Sequence, residues 1–380
     1  MQHGATGMSV RIPIKGDTLT AAREMLHMSR EELGRAANLA ANRIAELESG
    51  DAQPTYRQMQ KLAKKLDRSL AYFLAPAPAA SDVPETADFR GAGGAEIPPA
   101  LARELKRAAA HRNTFLEFAD DVPLLKVPSG VTGQSVRERA RDFRTMLGLT
   151  DDFRPTENQA NAVFNFWRGQ LEAAGYLVFQ TTGISLQVFR GLSVHRERLP
   201  IIVLNGADAP NGKTFTLFHE VAHIANRTSG LCVLDDHVDE EAICNAFAAE
   251  FLMPTRTLRG LLNAATEVTP DSLAGYFRVS PLAAAVRLRT VNRMTQNQLD
   301  AFRRRADEEW EEIRRIRANG DGFVPPWRLR YRDLGPRYLG AVLRAVEQDR
   351  LTALDASYLL DARIPMVQQM QDEYFRTGGV

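Results

Sequence analysis

Apolar residues recur at helical spacing along most of this chain. Residues 18–75 predict a compact set of short helices with shared apolar faces, formed by Leu19, Ala22 and Leu26 and further along by Met59, Leu62, Ala63 and Leu66. Longer helical patterns follow over residues 100–119, 135–147, 156–174, 213–226, 239–252 and 295–318. The pattern therefore predicts a chain that is mainly α-helical.

Three short β-prone segments interrupt the helices, over residues 176–180, 185–190 and 200–205. They predict one small sheet, so the expected fold class is α+β, mainly α with a small β-sheet. The last segment, PIIVLN, begins with a proline and ends before a Gly/Asn-rich turn, which suits an edge strand that could hold an extended peptide. An ordinary structural strand is the alternative.

The domain organisation is indicated by a change in composition. Residues 76–99 are rich in Pro, Ala and Gly and poor in large apolar side chains, so they predict an exposed linker. The linker separates a helical domain, residues 1–75, from a larger domain over residues 100–294. A charge-dense helix then opens a helical C-terminal region, residues 295–380.

Composition narrows the class of protein. The net charge of +1 provides no overall field for nucleic acid or membrane, so any DNA binding must come from a local patch. No apolar run reaches the roughly 18 residues of a membrane helix, and the N-terminus lacks the apolar core of a signal peptide. The two cysteines, Cys232 and Cys244, form no disulfide framework. We expect a cytoplasmic protein with no membrane contact.

The segment FTLFHEVAHIAN, residues 215–226, contains two of the seven histidines of the chain. His219 and His223 are four residues apart, so both imidazoles project from the same side of a helix. Two neutral imidazoles in this position can bind one zinc ion, and Glu220 can remove a proton from the water on the metal. A pair of hydrogen-bonded core histidines is the alternative to this predicted metal site.

A catalytic zinc ion usually takes three protein ligands and keeps one position for water. The next helix, DEEAICNAFAAEFLMP, offers Glu240, Glu241 and Glu250 as the third ligand. Glu241 and Asn245 share a helix face, so one can bind the metal while the other orients a histidine. Spacing alone leaves the choice among these glutamates open.

The segments FTLFHEVAH and EEAICNAFAAEFLMP resemble the ImmA/IrrE zinc metallopeptidases, over roughly residues 155–292. The resemblance implies a thermolysin-like minimal zincin domain with Zn²⁺ as its cofactor. It also implies that Glu241, four residues before the asparagine, is the third ligand beside His219 and His223, with Glu220 as the base and Asn245 orienting a ligand.

The resemblance leaves the electrophilic helper of catalysis unassigned, and the candidates are His237, His195 and Tyr176. The later segment LAGYFRVSPLAAAVRLRTVN has helix-turn-helix spacing. In the family this segment is commonly a structural part of the peptidase, and we interpret it in that way here.

The segment SREELGRAANLAANRIAELESGDAQPTYRQMQKLAKKL is similar to the XRE, lambda-repressor-like helix-turn-helix domains. The similarity implies a first helix over Ser29–Ala37, a turn at residues 38–39 and a recognition helix over Ala40–Glu48. Ser29, followed three residues later by Glu32, is a capping-box pattern that supports the start of the first helix.

A recognition helix places its N-terminal side chains in the major groove, where Asn42 and Arg43 are able to read bases. The candidates for phosphate contacts include Arg30, Lys61 and Lys64. We therefore expect residues 18–75 to bind a DNA operator. The alternative is that the same fold serves protein docking or dimerisation, and a homodimer is a possible assembly.

Two functional hypotheses follow from the sequence. In the first, the chain is a transcriptional regulator with a zinc-dependent endopeptidase domain, which cleaves a repressor, a partner protein or itself to control a small stress, mobile-element or toxin–antitoxin operon. In the second, it is a DNA-binding repressor or antitoxin that acts by binding a partner, such as a toxin encoded nearby, with little or no peptidase activity.

Overall fold

The computed structural model of the chain describes residues 11–24, 26, 28–66, 70–74, 98–228, 238–264, 268–318 and 324–378. The chain divides into two compact units, residues 1–107 and 108–380. Most of the predicted linker, and His237 among the candidate helpers, lie outside the described residues. The domain boundaries drawn from the sequence therefore remain predictions.

The first unit is a bundle of short helices. In chain order these are α1 (Gly16–Glu24), α2 (Arg30–Ala37), α3 (Ala41–Ser49), α4 (Tyr56–Lys65) and a 3-10 helix (Leu70–Leu74). Their apolar faces meet in one core, whose fully buried side chains include Leu19, Leu33, Ile44, Leu47, Leu62 and Phe73. Burial of these faces is the main source of stability, because helices this short are marginal alone.

The junction of α2 and α3 follows from local chemistry. The Ser29 hydroxyl accepts a hydrogen bond from the Glu32 amide (3.1 Å), and the Glu32 carboxylate accepts one from the Ser29 amide (2.8 Å). The predicted capping box is therefore confirmed. Asn38 ends α2 in the left-handed conformation (φ 56°), which asparagine tolerates well. A Cβ on Gly34 would lie 2.7 Å from the Leu39 carbonyl oxygen, so the turn needs a glycine there.

The second unit is mainly helical. Its helices are α5 (Pro99–Phe118, within which the division between the units falls), α6 (Val136–Met146), α7 (Ala160–Ala173), α8 (Pro210–Ala225), α9 (Val238–Leu252), α10 (Thr255–Ala264), α11 (Pro270–Phe277), α12 (Pro281–Thr290), α13 (Gln296–Ala318), α14 (Pro326–Leu334), α15 (Pro336–Glu347), α16 (Ala353–Leu359) and α17 (Ile364–Arg376). With the small sheet, this confirms the predicted class, mainly α with a small β-sheet.

The sheet has three strands, β1 (Leu177–Thr181), β2 (Gly191–Val194) and β3 (Ile201–Asn205), in the order β1-β3-β2. β3 runs parallel to β1 and antiparallel to β2. The prediction that PIIVLN forms an edge strand is therefore wrong, because β3 is hydrogen-bonded on both sides and all its residues are buried.

The second predicted strand is also misplaced in the sequence. Residues 185–190 were expected to be extended, but Val188 and Phe189 donate their amides to the Ser185 carbonyl and form a turn. The strand begins only at Gly191, where the chain pairs with β3 and packs against α8. The position of β2 is set by its pairing with β3, which comes later in the chain.

Helix α8 lies in the middle of the core of the second unit. Its apolar residues are buried on several sides, and the Phe218 ring stacks on Phe251 of α9 (centroids 4.0 Å) and meets Trp167 of α7 edge to face. Leu273 of α11 and Leu288 of α12 belong to the same core. The segment with helix-turn-helix spacing thus packs within the peptidase-like core.

The C-terminal helices are joined to α7 and β1 by a buried polar network. The Arg332 carbonyl in α14 accepts hydrogen bonds from Arg168 (2.7 Å) and Gln180 (3.2 Å). Gln180 in turn accepts a hydrogen bond from the Lys213 ammonium at the start of α8 (2.8 Å), and Arg168 pairs with Glu172 (3.0 Å). These contacts extend from the C-terminal region to the histidine-bearing helix.

Candidate metal centre

The two histidines of α8 lie on one buried side of the helix. His219 and His223 are each about one-twentieth exposed, and their Nε2 atoms are 3.1 Å apart. Pro210 at the first turn starts α8, and the apolar side chains around the histidines keep the helix in the core. Two imidazole nitrogens are therefore close together in an environment with little water.

Glu241 of α9 completes this group. Its two carboxylate oxygens lie 3.2 Å from Nε2 of His219 and 3.3 Å from Nε2 of His223. Donor atoms bound to one tetrahedral zinc ion at 2.0–2.1 Å would be about 3.3 Å apart. The spacing of the three side chains therefore fits a single metal ion.

Hydrogen bonds orient both imidazoles. Nδ1 of His219 lies 3.0 Å from the amide oxygen of Asn245, and Nδ1 of His223 lies 3.2 Å from the Thr228 hydroxyl. That hydroxyl donates to Glu240 (2.5 Å). Because an amide oxygen only accepts, His219 donates from Nδ1, which leaves Nε2 as the nitrogen that would bind a metal. The sequence predicted the part of Asn245 but missed Thr228, which lies in a loop.

The Glu220 carboxylate is fully buried, and both its oxygens lack a hydrogen-bond partner among the described residues. A buried carboxylate without a partner is costly, so such a group indicates a missing polar partner. Water held by a metal at the neighbouring imidazoles would supply that partner. This is a second, independent sign that the residues present fit a metal ion.

Cys244 is a further possible ligand that the sequence reasoning overlooked. It is fully buried, and its sulfur lies within 4.8 Å of ligand atoms of both His219 and His223, so these three side chains could also hold a metal ion. Cys244 follows Glu241 by three residues and so shares its helix face. That spacing was the signal available in the sequence.

The charges of the centre are shifted by their surroundings. Burial alone would raise the pKa of Glu241, but its hydrogen bonds and charge interactions with His219 and His223 outweigh burial and hold the pKa well below its usual value. Burial raises the pKa of the Cys244 thiol. Glu241 is therefore an anion, whereas Cys244 is a neutral thiol.

Other candidates lie away from the centre. Glu250 forms a short ion pair with Arg287 and accepts hydrogen bonds from the Thr255 amide (2.8 Å) and hydroxyl (2.6 Å). It is thus used in structure and does not reach the histidines. The buried Tyr176 hydroxyl donates to the Lys126 carbonyl (2.9 Å), so it is used in a structural hydrogen bond.

His195 follows the last residue of β2 and contacts the histidine-bearing helix α8. Its Nδ1 is 3.2 Å from the Ile224 carbonyl of α8, a contact that attaches the strand to the helix. The edge strand β2 runs beside α8, and Gly191 at its start faces Glu220. The sequence reasoning missed Gly191, because only the packing of two elements reveals its role.

A cavity of about 1180 Å³ opens beside the centre. His219, Glu241 and Asn245 line one side, and the rest is largely apolar, with Phe215 and Val286 among its walls. Its volume exceeds that of most small-molecule sites, which take about 300–1,000 Å³. The cavity can therefore admit a segment of polypeptide to His219 and Glu241.

The predicted DNA-contacting residues lie on α2, α3 and α4. Asn42 is exposed in the first turn of α3, and Lys61 and Lys64 are exposed on α4. Arg43 pairs with Glu46 (2.7 Å) and donates to the Gln53 carbonyl (3.1 Å). These bonds occupy Arg43 in the protein alone, and a base contact would have to replace them.

Arg30 is also engaged within the domain. It pairs with the buried Glu48 (2.7 Å), which is paired from the other side by Arg23 (2.6 Å). About half of the Arg30 side chain remains exposed. Glu48 therefore stabilises this bundle. Arg30 is exposed to solvent while it is paired with Glu48.

A histidine pair with an adjacent buried glutamate, one helix away from a carboxylate, defines a metallopeptidase-type site. Residues 171–289 match the family model of the IrrE N-terminal-like domain, and residues 19–73 match that of the helix-turn-helix. The chain thus carries an IrrE N-terminal-like domain together with a DNA-binding type of helix-turn-helix, as the resemblances predicted.

Comparison with curated proteins and with solved structures gave no significant match. In the described part of the chain, no helix is both long and apolar enough to cross a membrane. The helix-turn-helix domain implies DNA binding, and the peptidase-type domain with its buried histidines suggests metal-dependent hydrolysis.

Proposed function

We propose that the chain is a cytoplasmic, DNA-binding regulator whose second unit is a zinc-dependent endopeptidase. Its substrate would be a repressor, another partner protein or the chain itself, and cleavage would control a small operon. The observation that carries this proposal is the Glu220 carboxylate, which is fully buried beside His219 and His223 with no partner among the described side chains. A glutamate in that state suits proton transfer at a metal.

His219, His223 and Glu241 would hold the metal, with Asn245 and Thr228 orienting the imidazoles. Bound zinc would lower the pKa of a coordinated water and polarise the carbonyl of the scissile bond. Glu220 then accepts the proton of the attacking water and delivers it to the leaving amine.

The largely apolar walls of the cavity would hold a substrate segment beside His219 and Glu241, one residue along α8 from Glu220. An extended segment would lie along the accessible side of the centre, between α9 and the chain leading into β2.

The decisive experiment is Glu220→Gln, which keeps the size of the side chain and removes the base. N-terminal labelling of all proteins from cells that produce the wild type or the variant should reveal new N-termini with the wild type only. We expect a rate loss of about 10²–10⁴-fold with zinc content unchanged. Glu347→Gln, at an exposed position outside the site, is the matched control.

The alternative function, repression or neutralisation of a partner by binding alone, rests on the helix-turn-helix domain. Under that function, Glu220→Gln would regulate a reporter fused to the chain's own promoter as well as the wild type does, and no new N-termini would appear with either protein. That pair of results would replace the peptidase proposal with the binding regulator.

A further inference from the structure

A second, smaller cavity of about 340 Å³ lies between α6 and α10 and is lined by arginines. Arg137, Arg141 and Arg144 follow one another at helical spacing on α6, and Arg256 and Arg259 lie on one face of α10. Five guanidinium groups therefore border one cavity, and the only carboxylates among its lining residues in the described chain are Asp151 and Glu250.

The two carboxylates are already engaged. Glu250 is paired with Arg287, which lies outside this smaller cavity, and Asp151 lies 3.8 Å from Arg141. Arg144 is buried and uses its guanidinium on backbone carbonyls, with the Phe251 oxygen at 2.6 Å. The cavity is therefore left with an excess of positive charge.

Three of the arginines carry this excess. Within the residues that the structure describes, no carboxylate lies at ion-pair distance from Arg137, Arg256 or Arg259. All three are exposed, so their charged groups can meet a ligand from solvent. Guanidinium groups bind carboxylates and phosphates in a two-point geometry, which makes such a cluster a site for anions.

The arginine-lined cavity adjoins the larger cavity at the histidines. Arg137, Glu250 and Thr255 line both. Glu250 follows Glu241 by nine residues on α9, which corresponds to about 13 Å along the helix. An extended peptide covers that distance in about four residues.

A peptide is favoured over nucleic acid as the ligand. The cavity is of side-chain size and lies in the wall of a cleft, whereas a duplex presents its phosphates along a groove about 12 Å wide. A peptide that lies across the histidines reaches the arginines simply by continuing along α9. We propose that Arg137, Arg256 and Arg259 form a subsite that binds an acidic side chain of the substrate, about four residues from the cleaved bond.

This inference rests on the proposed peptidase function, but its test measures binding without cleavage. The receptor is the full chain carrying Glu220→Gln, immobilised and loaded with zinc. The probe is a mixture of 14-residue synthetic peptides with randomised apolar centres, in which the positions four residues to either side hold Glu or Gln. Mass spectrometry of the retained peptides measures the Glu-to-Gln ratio at each position.

We expect Glu to be enriched about 5- to 10-fold over Gln on one side of the centre at low salt, with the enrichment falling as salt rises. The Arg256→Ala and Arg259→Ala double variant should lose the enrichment. Arg304→Ala with Arg305→Ala, at exposed positions on α13, should keep it. The double variant Arg256→Glu and Arg259→Glu should instead enrich Lys over Gln when the probe carries Lys in place of Glu.

Equal retention of Glu and Gln peptides, or an enrichment that survives in the Arg256 and Arg259 variant, would overturn the subsite. A 20-base-pair duplex is the second probe. If the double variant lost affinity for the duplex while its peptide preference stayed, the cavity would belong to nucleic acid and the proposal would be wrong. If the chain prefers Glu peptides but the wild type cleaves no protein, the anion-binding subsite would be supported and the peptidase function would be contradicted.

Discussion

Gly191 lies directly against the carboxylate of Glu220. A Cβ on Gly191 would be 2.7 Å from Oε1 of Glu220 and 2.4 Å from the methyl group of Thr216. Strand β2 and helix α8 can approach this closely only because residue 191 has no side chain. Strand β2 therefore helps to set the position of Glu220, the proposed base, together with its own helix α8.

We predict that Gly191→Ala moves the Glu220 carboxylate and slows peptide hydrolysis about 10²-fold, because misplacement by about 1 Å commonly has that effect. Zinc content should stay near the wild-type value, since the histidines and Glu241 are untouched. The measurements are the rate at which wild-type-dependent N-termini appear and the metal content of the purified protein.

The matched control is Gly169→Ala on α7, where a Cβ would meet nothing within 4 Å. This variant should keep full activity and gain a little stability from the better helix former. Wild-type activity in Gly191→Ala would show that the position of Glu220 does not depend on the strand.

The second prediction concerns the third metal ligand. We expect one zinc ion per chain, lost in His223→Ala and weakened strongly in Glu241→Ala, but retained in Cys244→Ser. The reason is charge: Glu241 is already an anion, whereas the Cys244 thiol must first lose a proton against the effect of burial. Titration of the apo-protein with zinc and a competing chelator measures the affinity.

Asn245→Ala provides a graded comparison in the same titration. Loss of a hydrogen bond that orients a ligand typically weakens metal binding by about 10–100-fold. Retention of zinc by Glu241→Ala together with its loss from Cys244→Ser would move the third ligand from the carboxylate to the thiol.

The third prediction concerns DNA. If α3 reads an operator, Arg43→Ala should relax specificity at one base position at a cost of about 1–3 kcal/mol. Lys64→Ala should weaken binding to all sequences alike and make the salt dependence shallower. Fluorescence anisotropy with a duplex from the chain's own promoter, at several salt concentrations, separates the two effects.

Glu46→Gln tests whether the ion pair seen in the free protein limits Arg43. The pair at 2.7 Å is partly exposed, so its loss should release Arg43 at little cost in stability and tighten operator binding. An absence of salt-sensitive binding to that promoter, in wild type and variants alike, would favour the docking use of this fold.

The fourth prediction concerns Lys213 and pH. Burial, with the nearby charges of Arg332 and Arg168, lowers the pKa of Lys213 from its ordinary 10.5 to about 8. Between these two values the unfolded chain holds the proton and the folded chain does not, so this residue makes the free energy of unfolding rise with pH. The gain is complete above about pH 10.5 and amounts to at most about 3 kcal/mol.

Lys213→Met removes this dependence. The unfolding free energy of the wild type minus that of the variant should therefore increase from pH 7.5 to pH 10.5, as measured by urea unfolding at each pH. The same substitution at the exposed Lys64 is the control. A difference that stays constant over this range would contradict the lowered pKa.

Local sequence was sufficient for the features that depend on one helix. The spacing of His219 and His223 and the apolar residues around them identified α8, and the Ser29 and Glu32 pair marked the start of α2. Each of these signals lies within a few residues and needs no knowledge of the rest of the fold.

Features that depend on distant partners could not be predicted in the same way. β2 begins at Gly191 and not at residue 185, because its pairing with β3 and its approach to Glu220 decide the register. Glu250 remained a candidate ligand in the sequence because its partner, Arg287, follows 37 residues later. The resemblance pointed to Glu241, beside which the structure also places Cys244.

The acceptor role of the Arg332 carbonyl has a practical consequence for dissecting this protein. A fragment that ends at residue 294, or at the end of the matched segment, would remove the acceptor of Arg168 and Gln180 and expose two polar groups that are otherwise satisfied. Gln180 also holds Lys213, so the disturbance would reach the first turns of the histidine helix. A piece intended for excision and separate expression should therefore include at least α14 (Pro326–Leu334).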